Sequence, residues 1–360
     1  MWKLKIKRTD NSQGVLLQEN NLLGKKAFQF QAILDSMVEG VIVFDRQGNI
    51  VFLNPAIEKI FSIRKDACLQ KPLLESIRNA ELFEMYTQAL HTQETVSGEI
   101  NMLLPIRKAF HVNAVAVKQE SVVMILNDIT EMRHLETVRK DFVANVSHEL
   151  KTPLTSIKGF VETLLDGAID DKEHNRKFLQ IMQEHTQRLE RLISDLLALS
   201  QLESEEIKIA LTDIELSSLI KGTLENFRPL LKEKHIDVKT RFSAPVTVKA
   251  DDEKLRQVLN NLIDNAIKFN REKGSIIIAI EDTQVAVKVV IEDSGCGIPE
   301  KDLSRIFERF YRVDKARSRS LGGTGLGLSI VKHIIELHKG AVGVESIEGQ
   351  GSKFYFSLPK

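Results

Sequence analysis

The chain has 360 residues, of which 42% are hydrophobic and 28% charged, enough apolar material for two or three small domains. Fifty basic residues balance fifty acidic ones, so no global charge points to nucleic acid or an anionic surface. Two widely spaced cysteines, Cys68 and Cys296, argue against a disulfide framework or a zinc site and fit a reducing cytoplasm, and no run of 18 apolar residues encodes a membrane span.

Residues 1–26 show no clear periodicity and stay unassigned. Their start, MWKLKIKRTDNSQG, lacks the apolar core of a signal peptide and is mildly basic, which leaves room for loose association with the inner face of the cell membrane. Residues 27–130 read as mixed α/β. VIVFD and IVFLN flank the turn residues RQGN (46–49), a hairpin signal, and AIEKIF (56–61) reads as a short helix. Strand-like runs follow at 94–104, 108–117 and 120–128. The order resembles a PAS sensor domain: a helix at FQAILDSMVEGV, the hairpin, an Asn-Pro helix start at Asn54 and Pro55, and an exit at ILNDITEMRHLE. PAS pockets share no fixed ligand motif, so the signal stays unspecified.

From about 131 the period becomes helical. Leu135, Val138, Phe142, Val146, Leu150, Leu154, Ile157, Val161 and Leu164 recur every three or four residues, and a second stripe runs from Phe178 to Leu202. DGAIDD (166–171) supplies the turn of an αα-hairpin spanning 131–204. One hairpin buries one seam and two bury both, so a homodimeric four-helix bundle is the natural completion. Within FVANVSHELKTPLTS (142–156), His148 falls opposite the seam. An exposed imidazole is a competent nucleophile near neutral pH. Glu149 can accept the proton of its other ring nitrogen, and Thr152, one turn on, offers a hydroxyl that could position water. Pro153 deletes the hydrogen bond to the Glu149 carbonyl at a cost of roughly 3 kcal/mol and marks a bend point.

A lone exposed histidine is usually only solvated. Here SHELKTPL (147–154) closely resembles the phosphoacceptor box of bacterial two-component sensor histidine kinases, His-Glu-x-x-Thr/Asn followed by Pro. The resemblance implies that His148 is autophosphorylated, Glu149 is the general base, and Thr152 serves response-regulator dephosphorylation.

Residues 205–360 read as a second α/β domain. Strands and helices do not alternate strictly, which points to an α/β sandwich. In LRQVLNNLIDNAIKF (255–269), Asn261, Asn265 and Lys268 share one helical stripe, and Val258, Leu259, Leu262, Ile263 and Ala266 cover the buried side. Two amides and an ammonium could hold phosphate oxygens and hydrated Mg²⁺. EDSGCGIP (292–299) sets Asp293 after a strand and before the close-approach glycines Gly295 and Gly297. IFERFYRVDKARSRS (306–320) alternates aromatics with Arg309 and Arg312, and LGGTGLGLSIVKHIIELH (321–338) runs a glycine loop into an amphipathic helix. No Gly-Lys-Ser/Thr follows, so this is not a Walker loop.

Each segment alone is an ordinary polar face or turn. In this order they resemble the N, G1, F and G2 boxes of the GHKL (Bergerat) ATP-binding fold. The resemblance implies ATP as substrate, Asn265 as Mg²⁺ ligand, and Asn261, Lys268 and Phe269 as neighbouring contacts. It further implies Asp293 as acceptor for the adenine amino group, and Gly295, Gly297, Arg312, Gly323, Thr324, Gly325, Leu326 and Gly327 around the base and phosphates. Phe269 stands where the family often has Tyr or His. The whole chain is similar to PAS-containing sensor kinases of the phosphate-regulon and cell-wall-regulating type. It implies a response-regulator receiver domain as partner. A GHKL ATPase that uses nucleotide only for conformational change, and a regulator phosphatase acting through Thr152, are the alternative readings.

Overall fold

The computed structural model describes residues 24–102, 107–117, 120–171, 173–202, 209–242, 245–314 and 323–360. Most of the N-terminal segment, and residues 315–322 with the KARSRS tract, lie outside them. The chain forms two compact units, Met1–Lys140 and Asp141–Lys360.

In the first unit residues 24–36 are helical (α1). Strands β1 (Gly40–Asp45) and β2 (Ile50–Leu53) form the expected hairpin. Asp45 fixes its turn by accepting from the backbone N–H groups of Gln47 (2.9 Å) and Asn49 (2.8 Å), and Gly48 takes φ +84°. Helix α2 (Pro55–Phe61) starts where it does because Asn54 caps it. That side chain is wholly buried and fully satisfied. It accepts from Val41 and Ile57, and donates to the carbonyls of Leu34 and Glu39.

Helices α3 (Lys65–Cys68), α4 (Leu73–Ser76) and α5 (Ala80–Thr92) follow, then strands β3 (Val96–Met102), β4 (Lys108–Val117) and β5 (Ser121–Asp128). The sheet is antiparallel in the order β2-β1-β5-β4-β3. Strict alternation puts Phe110, Val112 and Ala114 of β4, and Val122, Met124 and Leu126 of β5, into one core with Leu82, Met85 and Ala89 of α5. Asp128 receives Lys108 (2.7 Å) and the backbone N–H of Thr130 (3.0 Å) where the sheet hands over to the next helix.

That helix, α6 (Thr130–Leu165), is continuous through Pro153, and the unit boundary falls within it. Gly167 (φ +114°) and a 3₁₀ turn at Ala168–Asp170 lead to α7 (Asn175–Leu202). Phe160 and Phe178 pair across the hairpin near this turn, centroids 5.3 Å apart.

The rest of the second unit is a helix layer on a mixed sheet. Strands β6 (Thr212–Glu215) and β8 (Thr247–Ala250) make a small ladder. Helices α8 (Leu216–Glu233), α9 (Asp252–Lys268) and α11 (Gly327–Leu337) cover the five-stranded sheet. Its order is β11-β12-β10-β9-β7, built from β7 (Asp237–Arg241), β9 (Ser275–Asp282), β10 (Ala286–Asp293), β11 (Ala341–Ile347) and β12 (Gly351–Pro359). Only β7–β9 is parallel, and the short α10 spans Glu300–Leu303. This is the expected α/β sandwich. Asp251 caps α9 by accepting from the N–H of Lys254, and the α9 stripe Leu255, Val258, Leu259, Leu262, Ile263 and Ala266 enters the core.

Candidate functional site

Two sites share the second unit. On α6, His148 is exposed, as its wheel position demands. Glu149 turns away from solvent. Its Oε2 accepts from Arg188 of α7 (2.6 Å) and more distantly from Arg312 (3.4 Å), and the three side chains are 15%, 14% and 6% exposed. The carboxylate that sequence reasoning pictured beside the imidazole is thus engaged by guanidinium groups. The Thr152 hydroxyl donates to the His148 carbonyl (3.0 Å), a bond within the helix.

The second site is a cavity of about 410 Å³. Asn261, Asn265 and Lys268 of α9, with Phe269 at its C-cap, form one wall. The helix presents them together because they occupy positions i, i+4, i+7 and i+8 on the side away from its core stripe. Lys268 is paired with Asp264 on the same face at 2.5 Å. Asp293, the last residue of β10, lies opposite Ile276 and Ser352 in the ladders, and its carboxyl opens onto the cavity. It is only 7% exposed, and burial pushes its pKa up to about 6 against the pull of the N–H groups of Gly295 and Ser352. Gly297 takes φ +66°, and a Cβ there would run into the Ile347 carbonyl. Arg312, Gly323, Thr324, Gly325 and Gly327 close the far wall.

Two expected residues do not line the space. Gly295 works from behind, its N–H donating to Asp293 Oδ1 at 2.8 Å, with no room for a side chain against the Phe269 carbonyl. Leu326 is wholly buried and belongs to the core. Conversely, Arg191 and Asp195 of α7, Asp264, Tyr311 and Ser352 line the cavity without having been expected. Asp264 shares the Asn261 stripe and could have been found from it. Tyr311 is anchored by its hydroxyl on Asp302 (2.7 Å), which sets the path of Arg312. No helical pattern could have revealed Asp195, because it reaches the cavity only through the tertiary fold.

The amide oxygens of Asn261 and Asn265 are hard donors. Among the described residues no group of three or more His, Cys, Asp or Glu side chains could hold a metal ion by itself. Such a donor set suits a cation that takes most of its ligands from phosphate and water.

Three family models match in chain order. They are the PAS fold over residues 29–141, the His Kinase A (phospho-acceptor) domain over 138–205, and the histidine kinase-, DNA gyrase B- and HSP90-like ATPase over 250–360. The sensor protein kinase WalK of Staphylococcus aureus is 32% identical over 99% of this chain and 89% of that relative. The chain belongs to the sensor histidine kinases. The sensor histidine kinase WalK of Bacillus subtilis is 34% identical over 91% of this chain, which spans 54% of that relative's length. Among solved structures, the histidine kinase ThkA in complex with the response regulator protein TrrA aligns with a TM-score of 0.52 at 27% identity, covering 91% of this chain and 98% of that one. This sensor histidine kinase chain has, among its described residues, no helix long and apolar enough to cross a membrane.

Proposed function

We propose that the chain is an ATP-dependent protein-histidine kinase that phosphorylates itself on His148 and passes the phosphoryl group to an aspartate of a response-regulator receiver domain. The observation that carries this reading is one compact unit holding both an exposed histidine on a hairpin helix and a cavity walled by Asn261, Asn265, Lys268, Asp293, Arg312 and Thr324. Asp293 receives the adenine amino group. Lys268, Arg312, and the backbone N–H groups where Gly323, Thr324, Gly325 and Gly327 enter α11 receive phosphates. Asn265, with Asn261 beside it, holds Mg²⁺, which when bound supplies charge neutralisation on the phosphates.

A lone pair of the His148 ring attacks the γ-phosphorus. An N–P bond forms, the bond to the β,γ-bridging oxygen breaks, ADP leaves, and Glu149 takes the proton from the other ring nitrogen. Positioning and charge supply most of the acceleration. Thr152 serves the reverse traffic by positioning water against the phosphorylated regulator.

The division into residues 27–130 for sensing, 131–204 for dimerisation and phosphoacceptance, and 205–360 for ATP binding follows from the same reading. So does action on the cytoplasmic side, where ATP and the regulator are found. The 27–130 region biases the hairpin, and through it the distance from donor to His148, in response to a signal that no residue here specifies.

His148→Gln should abolish phosphate incorporation from labelled ATP while ATP binding persists. Labelling that survives the substitution overturns the assignment. Acid-labile phosphoprotein in the unmodified chain excludes the rival reading of an ATPase that transfers nothing.

A further inference from the structure

Two contacts tie the hairpin to the far wall of the cavity, and both use residues that also line it. The Thr324 hydroxyl donates to Asp195 Oδ2 of α7 at 2.6 Å. Arg312 reaches Glu149 of α6 and, with the same Nη2, the Gly323 carbonyl at 2.5 Å. The glycine segment is therefore held to both hairpin helices by the hydroxyl and guanidinium that would meet the phosphates of a nucleotide. Asp195 itself lines the cavity and is partly buried. Burial pushes its carboxyl above the ordinary range, while the Thr324 hydrogen bond and the charges of Lys268 and Arg191 pull it down.

We infer that Asp195 is a positioning residue of the nucleotide site acting from the hairpin, and that nucleotide phosphates compete with Asp195 and Glu149 for Thr324 and Arg312. The inference rests on the reading of this cavity as a nucleotide site. Its physical content is a linkage. A polyanion entering the cavity meets the Asp195 carboxylate beside Thr324 and needs the two donors that Asp195 and Glu149 hold. Loading thus weakens docking of the glycine segment on α7, and docking weakens loading by the same factor. The release also takes Arg312 off Glu149 and leaves that carboxylate with its closer partner, Arg188. Docked and empty, the molecule holds Glu149 with two guanidinium groups; loaded, it holds it with Arg188.

The test is calorimetric titration of the full chain with the non-hydrolysable analogue AMP-PNP and Mg²⁺. Asp195→Ala should lower its Kd by roughly threefold to tenfold, the range set by losing one charge-assisted hydrogen bond and its repulsion. Asp195→Asn keeps the shape and an acceptor for Thr324, so it should move Kd in the same direction by less. It also decides the matter if the alanine variant does not fold. Ser194→Ala, exposed on the same helix, should leave Kd unchanged. The KM for ATP in autophosphorylation should fall in parallel with Kd while kcat does not rise by the same factor. A merely structural role for Asp195 cannot tighten binding. An unchanged or higher Kd in both Asp195 variants overturns the inference and leaves the kinase reading standing. Failure of the unmodified chain to bind the analogue overturns the kinase reading itself.

Discussion

Helices α7 and α9 are written in the same amphipathic code and end in opposite situations. In α9 the residues Leu255, Val258, Leu259, Leu262, Ile263, Ala266 and Ile267 are all at most 3% exposed, because a sheet and two helices of the same chain cover them. Among the described leucine, isoleucine, valine and phenylalanine residues of the hairpin, only Leu192, Leu199 and Leu202 of α7 are so well covered. Leu197 remains 60% exposed, Leu179 55% and Ile193 48%, and Leu154 and Leu135 of α6 are both 61% exposed. An apolar stripe identifies a helix but does not say what covers it. For α9 the cover is local. For the hairpin we propose a second copy, whose own hairpin offers the same uncovered residues.

Placing a charge on the uncovered stripe tests that difference most severely. Leu197→Lys should convert the full chain from dimer to monomer by sedimentation or light scattering. A two-fold interface loses the residue twice, at about 2 kcal/mol for each leucine, so dimer affinity should drop by a hundredfold or more. A variant that remains fully dimeric breaks the comparison. On α9 the same logic gives a different symptom. Ile263→Ala should cost about 2–5 kcal/mol of unfolding free energy by leaving a cavity, with no change in oligomeric state.

The fold and site were legible unevenly, for physical reasons. Asn261, Asn265 and Lys268 could be read as one surface because helical spacing alone places them together. The β1–β2 hairpin could be read because Gln47 to Asn49 carry turn chemistry. Helix α8 escaped notice: its interior carries Gly222 and Pro229, which weigh against a helix locally, and burial of Leu216, Leu219, Ile220 and Leu231 overrides them. The role of Gly295 behind Asp293, and of Leu326 in the core, depends on which way a backbone faces after folding, and the pattern of glycines does not encode it. The Glu149–Arg188–Arg312 cluster joins residues 39 and 163 positions apart, so no local pattern contains it.

A smaller effect separates the buried carboxylate of the cavity from the exposed ones elsewhere. Burial raises Asp293 from 3.8 in the unfolded chain to about 6 in the fold. Between those values the native state holds a proton that the unfolded state has released. Its contribution to stability is therefore full below about pH 4 and is lost as pH rises through about 6. Asp293→Asn should flatten that slope and raise the melting temperature at pH 7.5, by at most about 3 kcal/mol of stability. Nucleotide binding should respond in the opposite sense. The adenine amino group binds an ionised acceptor more strongly than a protonated one, so affinity for AMP-PNP should weaken as pH falls below about 6. Affinity that is flat from pH 7.5 to 5 would remove Asp293 from the adenine contact.

The smallest effect concerns two prolines inside helices. Pro229 of α8 is exposed, whereas Pro153 of α6 is buried one turn from His148. Both lack the N–H that a helix needs, so each leaves a carbonyl without its usual donor. Around Pro153 the neighbouring hydroxyls are drawn inward: Thr152 donates to the His148 carbonyl and Ser156 to the Thr152 carbonyl at 3.2 Å. Such back-bonding favours bending at the same turn. Pro153→Ala restores the missing donor and removes a buried ring, two changes of opposite sign, so net stability should move by no more than about 1–2 kcal/mol. The functional signature should exceed the thermodynamic one, with the ratio of autokinase to regulator-phosphatase activity shifting several-fold. Pro229→Ala should stabilise α8 and leave that ratio alone. If the two alanine variants behave alike, the proline beside His148 is only a tolerated defect, and the helix works there through the exposure of its histidine.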